Sequence, residues 1–117
     1  METLRYKMRL RIYREDLAFG PGVAQLMEYV EQEGSMSEAC RKMGMAYSKG
    51  WRIVKRSEQD LGFQLMEGVR GGKNGGKMTL TEEGKDFLLR YRKFEQKVQE
   101  AADELFQEYM QKGEKDL

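Results

Sequence analysis

The chain has 117 residues, with 21 basic and 20 acidic side chains, one cysteine and no histidine. Its length fits one domain with a modest hydrophobic core, to which a dimer would add stability. Without histidine the usual zinc ligand sets and histidine-centred catalysis are excluded, and the single Cys40 excludes an internal disulfide.

From Leu4 to Tyr13 apolar side chains (Leu4, Tyr6, Met8, Leu10, Ile12) alternate with Arg5, Lys7, Arg9 and Arg11, the period of a half-buried strand. Its basic face suits either DNA contact or the protection of an exposed sheet edge. Pro21 then suits the first turn of a helix, and Val23, Leu26, Met27 and Val30 recur at helical spacing until Gly34 ends the segment. Ser37 is expected to cap a second, two-turn helix with Ala39, Cys40 and Met43 inward and Gly44 as its stop. Cys40 reads as a small buried thiol.

A third helix is expected from about Tyr47 to Asp60, with Tyr47, Trp51, Val54 and Leu61 near one face and the basic residues elsewhere. A short turn between two short helices, with small residues where they cross, is the geometry of a helix-turn-helix, and the third helix is its reader. Gly50 has a structural reading too, since a side chain there would clash with the second helix. Phe63 to Val69 reads as a strand, Arg70 to Lys77 as a glycine-rich hairpin tip, and Met78 to Leu80 as the returning strand, together forming a wing.

Thr81 is expected to cap a long last helix running to about Met110. Its stripe of Phe87, Tyr91, Phe94, Val98, Ala101 and Leu105 steps by four and three, as in a heptad. A rod of that length, about 40 Å at 1.5 Å per residue, exceeds what so small a core covers, so a homodimer pairing these helices is expected; folding the stripe onto the first helix is the alternative. The resulting division is a winged helix-turn-helix core at 1–81, a dimerisation helix at 82–111 and a frayed tail at 112–117. The expected class is mainly α with a small β-wing and an N-terminal strand.

Charge is segregated along the chain. Residues 15–40 hold six acidic and no basic side chains, whereas 41–77 hold nine basic and three acidic. Arg41, Lys42, Lys49, Arg52, Lys55 and Arg56 have no acid between them, which suits phosphate neutralisation. Candidate DNA contacts are therefore Tyr47, Ser48, Lys49 and Arg52 at the start of the third helix, with Ser37, Lys55 and Arg56 flanking and Arg70, Lys73, Asn74 and Lys77 in the wing. Trp51 and Val54 are read as core anchors, so changing Trp51 is expected to damage stability before specificity.

The wing tip also competes as a nucleotide loop, because Gly71, Gly76 and Lys77 have phosphate-loop spacing. Met78 stands where the metal-binding Ser or Thr belongs, and the alternating run after Lys77 is strand-like, where such a loop opens a helix. No apolar run approaches the roughly 20 residues of a membrane span and no signal-peptide pattern opens the chain, so a cytoplasmic location is expected.

Gly34-Ser35-Met36-Ser37, Ala39, Gly44-Met45, Tyr47, Trp51, the Arg70-Gly71-Gly72-Lys73 and Gly75-Gly76 wing, and Leu80-Thr81 with Gly84 together resemble the N-terminal domain of the molybdate-responsive ModE regulators, a LysR-like winged helix. The resemblance covers roughly residues 4–110. It implies a dimeric transcriptional regulator with its third helix in the major groove. It does not imply molybdate binding, which in that family belongs to separate C-terminal domains. Ala46, Ser48 and Gly50 depart from the family's usual Ser, Lys and Ala, so an operator sequence does not carry over.

The expected partners are double-stranded DNA and a second copy of the chain, with no cofactor, no molybdate and no membrane. The alternative is a protein-interaction adaptor that keeps the fold without specific DNA binding. No paired carboxylate cluster points to an enzyme.

Overall fold

The computed structural model describes residues 3–69 and 77–111. In chain order the elements are β1 (Ile12–Tyr13), β2 (Leu17–Phe19), α1 (Pro21–Glu33), α2 (Met36–Met43), α3 (Tyr47–Leu61), β3 (Met66–Gly68), β4 (Met78–Leu80) and α4 (Glu82–Phe106), which closes in a π-helical turn, Gln107–Gln111. The fold is a mainly α winged helix-turn-helix with a long last helix. Two compact units divide the chain, Arg9–Leu88 and Met1–Met8 with Leu89–Leu117.

In the Arg9–Leu88 unit, α1 is the central core helix. Pro21 pre-sets its first turn, Val23, Ala24, Leu26, Met27 and Val30 are buried, and Gly34 at φ 67° donates its N–H to the Val30 carbonyl at 2.7 Å. Around it Phe19, Met36, Val54, Leu65 and Leu80 are also buried, each side chain of this size contributing about 1.5–3 kcal/mol.

The cap of α2 is Ser35, not Ser37. The Ser35 hydroxyl accepts the Glu38 N–H at 3.1 Å, which leaves Met36 as the first helical residue and Ser37 exposed in the first turn. Met36 decides between the two serines: it is 2% exposed, and starting the helix there turns its side chain into the core.

The N-terminal strand is shorter than the alternation from Leu4 implies. Only Ile12 and Tyr13 are strand, paired antiparallel with Leu17–Phe19 through Ile12↔Phe19 and Tyr13↔Leu17. Alternation creates a face for packing, but a strand also requires a hydrogen-bonding neighbour, and β2 is only three residues long. Strand β3 likewise begins at Met66 rather than Phe63. The preceding backbone is held by side chains: Glu58 Oε2 accepts the Leu65 N–H at 2.8 Å, and the Thr81 hydroxyl donates to the Gln64 carbonyl at 2.6 Å.

Strand β3 pairs with β4 in the register Met66↔Leu80, Glu67↔Thr79 and Gly68↔Met78. The returning strand also docks on the turn between α1 and α2, where Met78 N–H meets the Gly34 carbonyl at 2.9 Å and Lys77 bridges to Ser35. Thr81 caps α4 as expected, its Oγ1 accepting the Gly84 N–H at 2.9 Å. A β-carbon on Gly84 would collide with the Leu65 carbonyl, so the helix starts close against the loop before β3.

In the other unit, the N-terminal segment meets the end of α4. Tyr6 donates to Asp103, accepts from Gln99 Nε2 at 2.6 Å, and sets its ring 4.9 Å from that of Phe106.

Candidate nucleic-acid interface

The turn from α2 into α3 is built by Gly44, at φ 66°. Its N–H donates to the Arg41 carbonyl at 3.1 Å and that of Met45 to the Cys40 carbonyl at 3.0 Å, satisfying two carbonyls that the helix end leaves open. Two residues later α3 begins at Tyr47 without a side-chain cap, since Ala46 has no polar atom to offer.

The inward stripe of α3 is Gly50, Val54 and Ser57. A β-carbon on Gly50 would collide with the Cys40 Sγ, so the glycine permits the close crossing of α2 and α3. Cys40 is a buried free thiol, and burial pushes its pKa up.

Tyr47 and Trp51, placed by periodicity near the face of Val54, do not lead that face. Tyr47 is 55% exposed and Trp51 only partly buried, their rings edge to face at 6.4 Å. The ammonium of Lys55 stands 5.4 Å from the Trp51 ring and 3.5 Å from Glu58 Oε1. With Gly50 as the contact residue the helix is rotated toward α2, which leaves the two aromatics at the margin.

On the outward side Ser48, Lys49, Arg52, Lys55 and Arg56 are all exposed. Lys49, Arg52 and Arg56 have no ion pair with any described residue. Arg41, by contrast, is tied to Glu38 at 2.7 Å, and this hydrogen bond holds the Glu38 carboxyl below its usual range. The run that is free of acids in sequence is therefore partly neutralised at both ends in space, by Glu38 on Arg41 and by Glu58 on Lys55.

In the wing, Lys77 is exposed and held at the Ser35 bridge, whereas Arg70, Lys73 and Asn74 lie outside the described residues. Lys77 leads into β4, so the helix that a phosphate loop needs after its lysine is replaced by a strand.

Along α4, Phe87 packs against Phe19 at 4.8 Å and Phe63 at 5.8 Å, and Tyr91 is buried. Val98 is partly buried, while Phe94, Ala101 and Leu105 are exposed, as are Leu89, Tyr109 and Met110. Among the described residues there is no cluster of metal-ligating side chains, and no helix is long and apolar enough to cross a membrane.

Similarities to known proteins agree with this architecture. The chain is 31% identical over 81 residues to the molybdenum transport protein ModE of Azotobacter vinelandii, covering 69% of this chain and 30% of that protein. It is 28% identical over 92 residues to the DNA-binding transcriptional dual regulator ModE of Escherichia coli K12, covering 79% of this chain and 35% of that one. The chain thus spans about a third of the length of these relatives. Among solved structures, the DNA-binding domain of BenM in complex with benA site 1 DNA aligns with a TM-score of 0.56 at 24% identity, covering 76% of this chain and 94% of that one. The CbnR DNA-binding domain in its DNA complex gives 0.56 at 22%, covering 71% and 90%. Both likenesses concern the fold. Residues 24–85 match the family described as bacterial regulatory helix-turn-helix protein, lysR family, and the chain belongs to that family, with a ModE-like N-terminal domain.

Proposed function

We propose that the chain is the DNA-binding part of a transcriptional regulator that works as a homodimer in the cytoplasm. Helix α3 enters the major groove, with Tyr47, Ser48, Lys49 and Arg52 toward base edges and phosphates. Lys55, Arg56 and Ser37 flank the groove, and the wing residues Arg70, Lys73, Asn74 and Lys77 follow the backbone or the minor groove.

The observation that carries this reading is the outward face of α3. Lys49, Arg52 and Arg56 are exposed cations with no ion pair to a described residue, on the side of the helix opposite Gly50 and Val54. A stripe of free positive charge on an otherwise well-anchored helix is the requirement for releasing counterions from a duplex. The relatives support the same assignment, since the Escherichia coli protein is named as DNA-binding and the two domains of like fold were solved with DNA.

Dimerisation rests on α4. Phe94 and Leu105 are 50% and 54% exposed on the same face of one 25-residue helix, an apolar stripe suited to a partner. Phe87, Tyr91, Val98 and Ala101 complete the stripe that a symmetry mate would cover. Only DNA recognition is transferred from the ModE proteins; no molybdate site is assigned to these residues.

The test is a fluorescence-anisotropy titration of genomic fragments selected by the protein, repeated across salt concentrations. The expected result is a steep salt dependence whose slope falls by about two when Lys49 and Arg52 are both replaced by alanine. Unchanged affinity and slope in Lys49→Ala/Arg52→Ala would refute the placement of α3. No duplex binding at low salt, with a stoichiometric protein partner recovered instead, would establish an adaptor.

A further inference from the structure

Beside the α3 face proposed to enter the major groove, and sharing Arg56 with it, the Arg9–Leu88 unit holds a cavity of about 190 Å³ between the start of α1, strand β2 and the middle of α3. Arg9, Arg11 and Arg56 line it, and no carboxylate does. Basic residues separated by more than forty positions in sequence are thus gathered at one opening.

Its floor is equally one-sided. Helix α1 starts at Gly20 with no side-chain cap and no acidic residue in its first turn, so the N–H groups of Gly22 and Val23 keep the positive end of the helix uncompensated. The Arg11 stem packs beside Gly20, its Cγ 3.4 Å from where a β-carbon would stand. Ser57 also lines the cavity. It is 4% exposed, and its hydroxyl has no hydrogen-bond partner among the described residues. A hydroxyl at an opening ringed by guanidinium groups is available there as a further donor.

Size narrows the occupant. The cavity is smaller than the roughly 300 Å³ at which small-molecule sites begin, and the charged side chains that line it are all cationic. We propose that this pocket binds a single phosphate group, held by Arg9, Arg11 and Arg56, the Gly22 and Val23 amides and the Ser57 hydroxyl. The same chemistry is available from the DNA backbone and from free inorganic phosphate. In the first case the site deepens the function proposed above; in the second it stands independently of it.

The experiment follows the Gly22 and Val23 amide resonances of the labelled chain in two titrations, one with inorganic phosphate against chloride at matched ionic strength, the other with the selected duplex. The variant is Arg9→Gln/Arg11→Gln, at two exposed positions that the core does not use. Saturable shifts with inorganic phosphate, weakened about tenfold or more in the variant, establish a free phosphate site. Shifts with duplex alone, together with a salt slope lowered by about one in the variant, establish the DNA backbone as the source. Absence of amide shifts with both ligands overturns the proposal, even where duplex affinity through α3 is intact. Shifts that Arg9→Gln/Arg11→Gln leaves unchanged overturn it as well.

Discussion

There is no room between Gly50 and Cys40 for a β-carbon. An alanine methyl at position 50 would collide with the Cys40 Sγ and stand 3.0 Å from Met36 Cε. Gly50→Ala is expected to destabilise the fold by about 1–3 kcal/mol through overpacking. Cys40→Ala removes the sulfur, so the double variant Cys40→Ala/Gly50→Ala should lose less than the sum of the two single changes. Denaturant melts of the four proteins in a double-mutant cycle measure the coupling, and strict additivity would contradict the contact.

Thr81 joins two elements with one hydroxyl, accepting from Gly84 N–H at the start of α4 and donating to the Gln64 carbonyl. Thr81→Ala should cost about 1–2 kcal/mol, the upper part of the range for a helix cap, because the Gln64 carbonyl is released as well. Thr81→Ser retains both bonds and should recover most of the loss. Equal midpoints for the serine and alanine variants in urea would show that the hydroxyl contributes nothing.

Glu38 restrains Arg41 through an exposed ion pair, which adds little to the stability of the fold. Replacing Glu38 by glutamine removes a negative charge beside the cationic run while keeping the backbone N–H that Ser35 caps. Glu38→Gln is therefore expected to leave the thermal midpoint nearly unchanged. On the DNA-binding reading it should tighten duplex binding and steepen its salt slope by up to about one phosphate equivalent. Weaker binding in this variant would place Glu38 among the productive contacts.

Tyr6 and Asp103 form a pH-sensitive link at the end of α4. Partial burial and then the Asp103 carboxylate push the Tyr6 hydroxyl from its ordinary 10.0 up to about 12, while the bond from Tyr6 holds Asp103 below its usual range. A raised tyrosine value favours the docked state below pH 10.0, an advantage lost as pH rises toward and through about 12. The lowered Asp103 value acts at the acid end, where docking is lost as pH falls below the ordinary carboxylate range. A phenolate absorbance titration should show one late-titrating tyrosine that disappears in Tyr6→Phe. Identical late titration in that variant would assign the signal elsewhere.

Much of the fold was legible in the chain because its signals are local. Pro21 and Gly34 bracket α1, Gly44 stops α2, Gly62 at φ 88° stops α3, and Thr81 starts α4; each works through the backbone geometry or hydrogen bonding of its own turn. The small contact residue of α3 was legible for a similar reason, since only Gly50 interrupts a run of larger side chains. Ser35 and Ser37 show where this ends. Either hydroxyl can cap a helix, and the choice fell to Ser35 because Met36 has a place in the core.

Sequence by itself determined the helices, the wing order and the segregation of positive charge, all of which follow from residue period and turn chemistry. The pairing of charges is local too: Glu38 and Glu58 lie three residues from Arg41 and Lys55 on the same helices and pair with them, while Lys49, Arg52 and Arg56 are left without an ion-pairing partner among the described residues. Tertiary structure alone decided the rotation of α3, which turns on the depth at which Gly50 meets Cys40, and the meeting of Arg9 and Arg11 with Arg56 at the start of α1. Spacing along the chain specifies a face of one helix and the ion pairs along it, whereas close crossing and convergence depend on distances between elements that only packing sets.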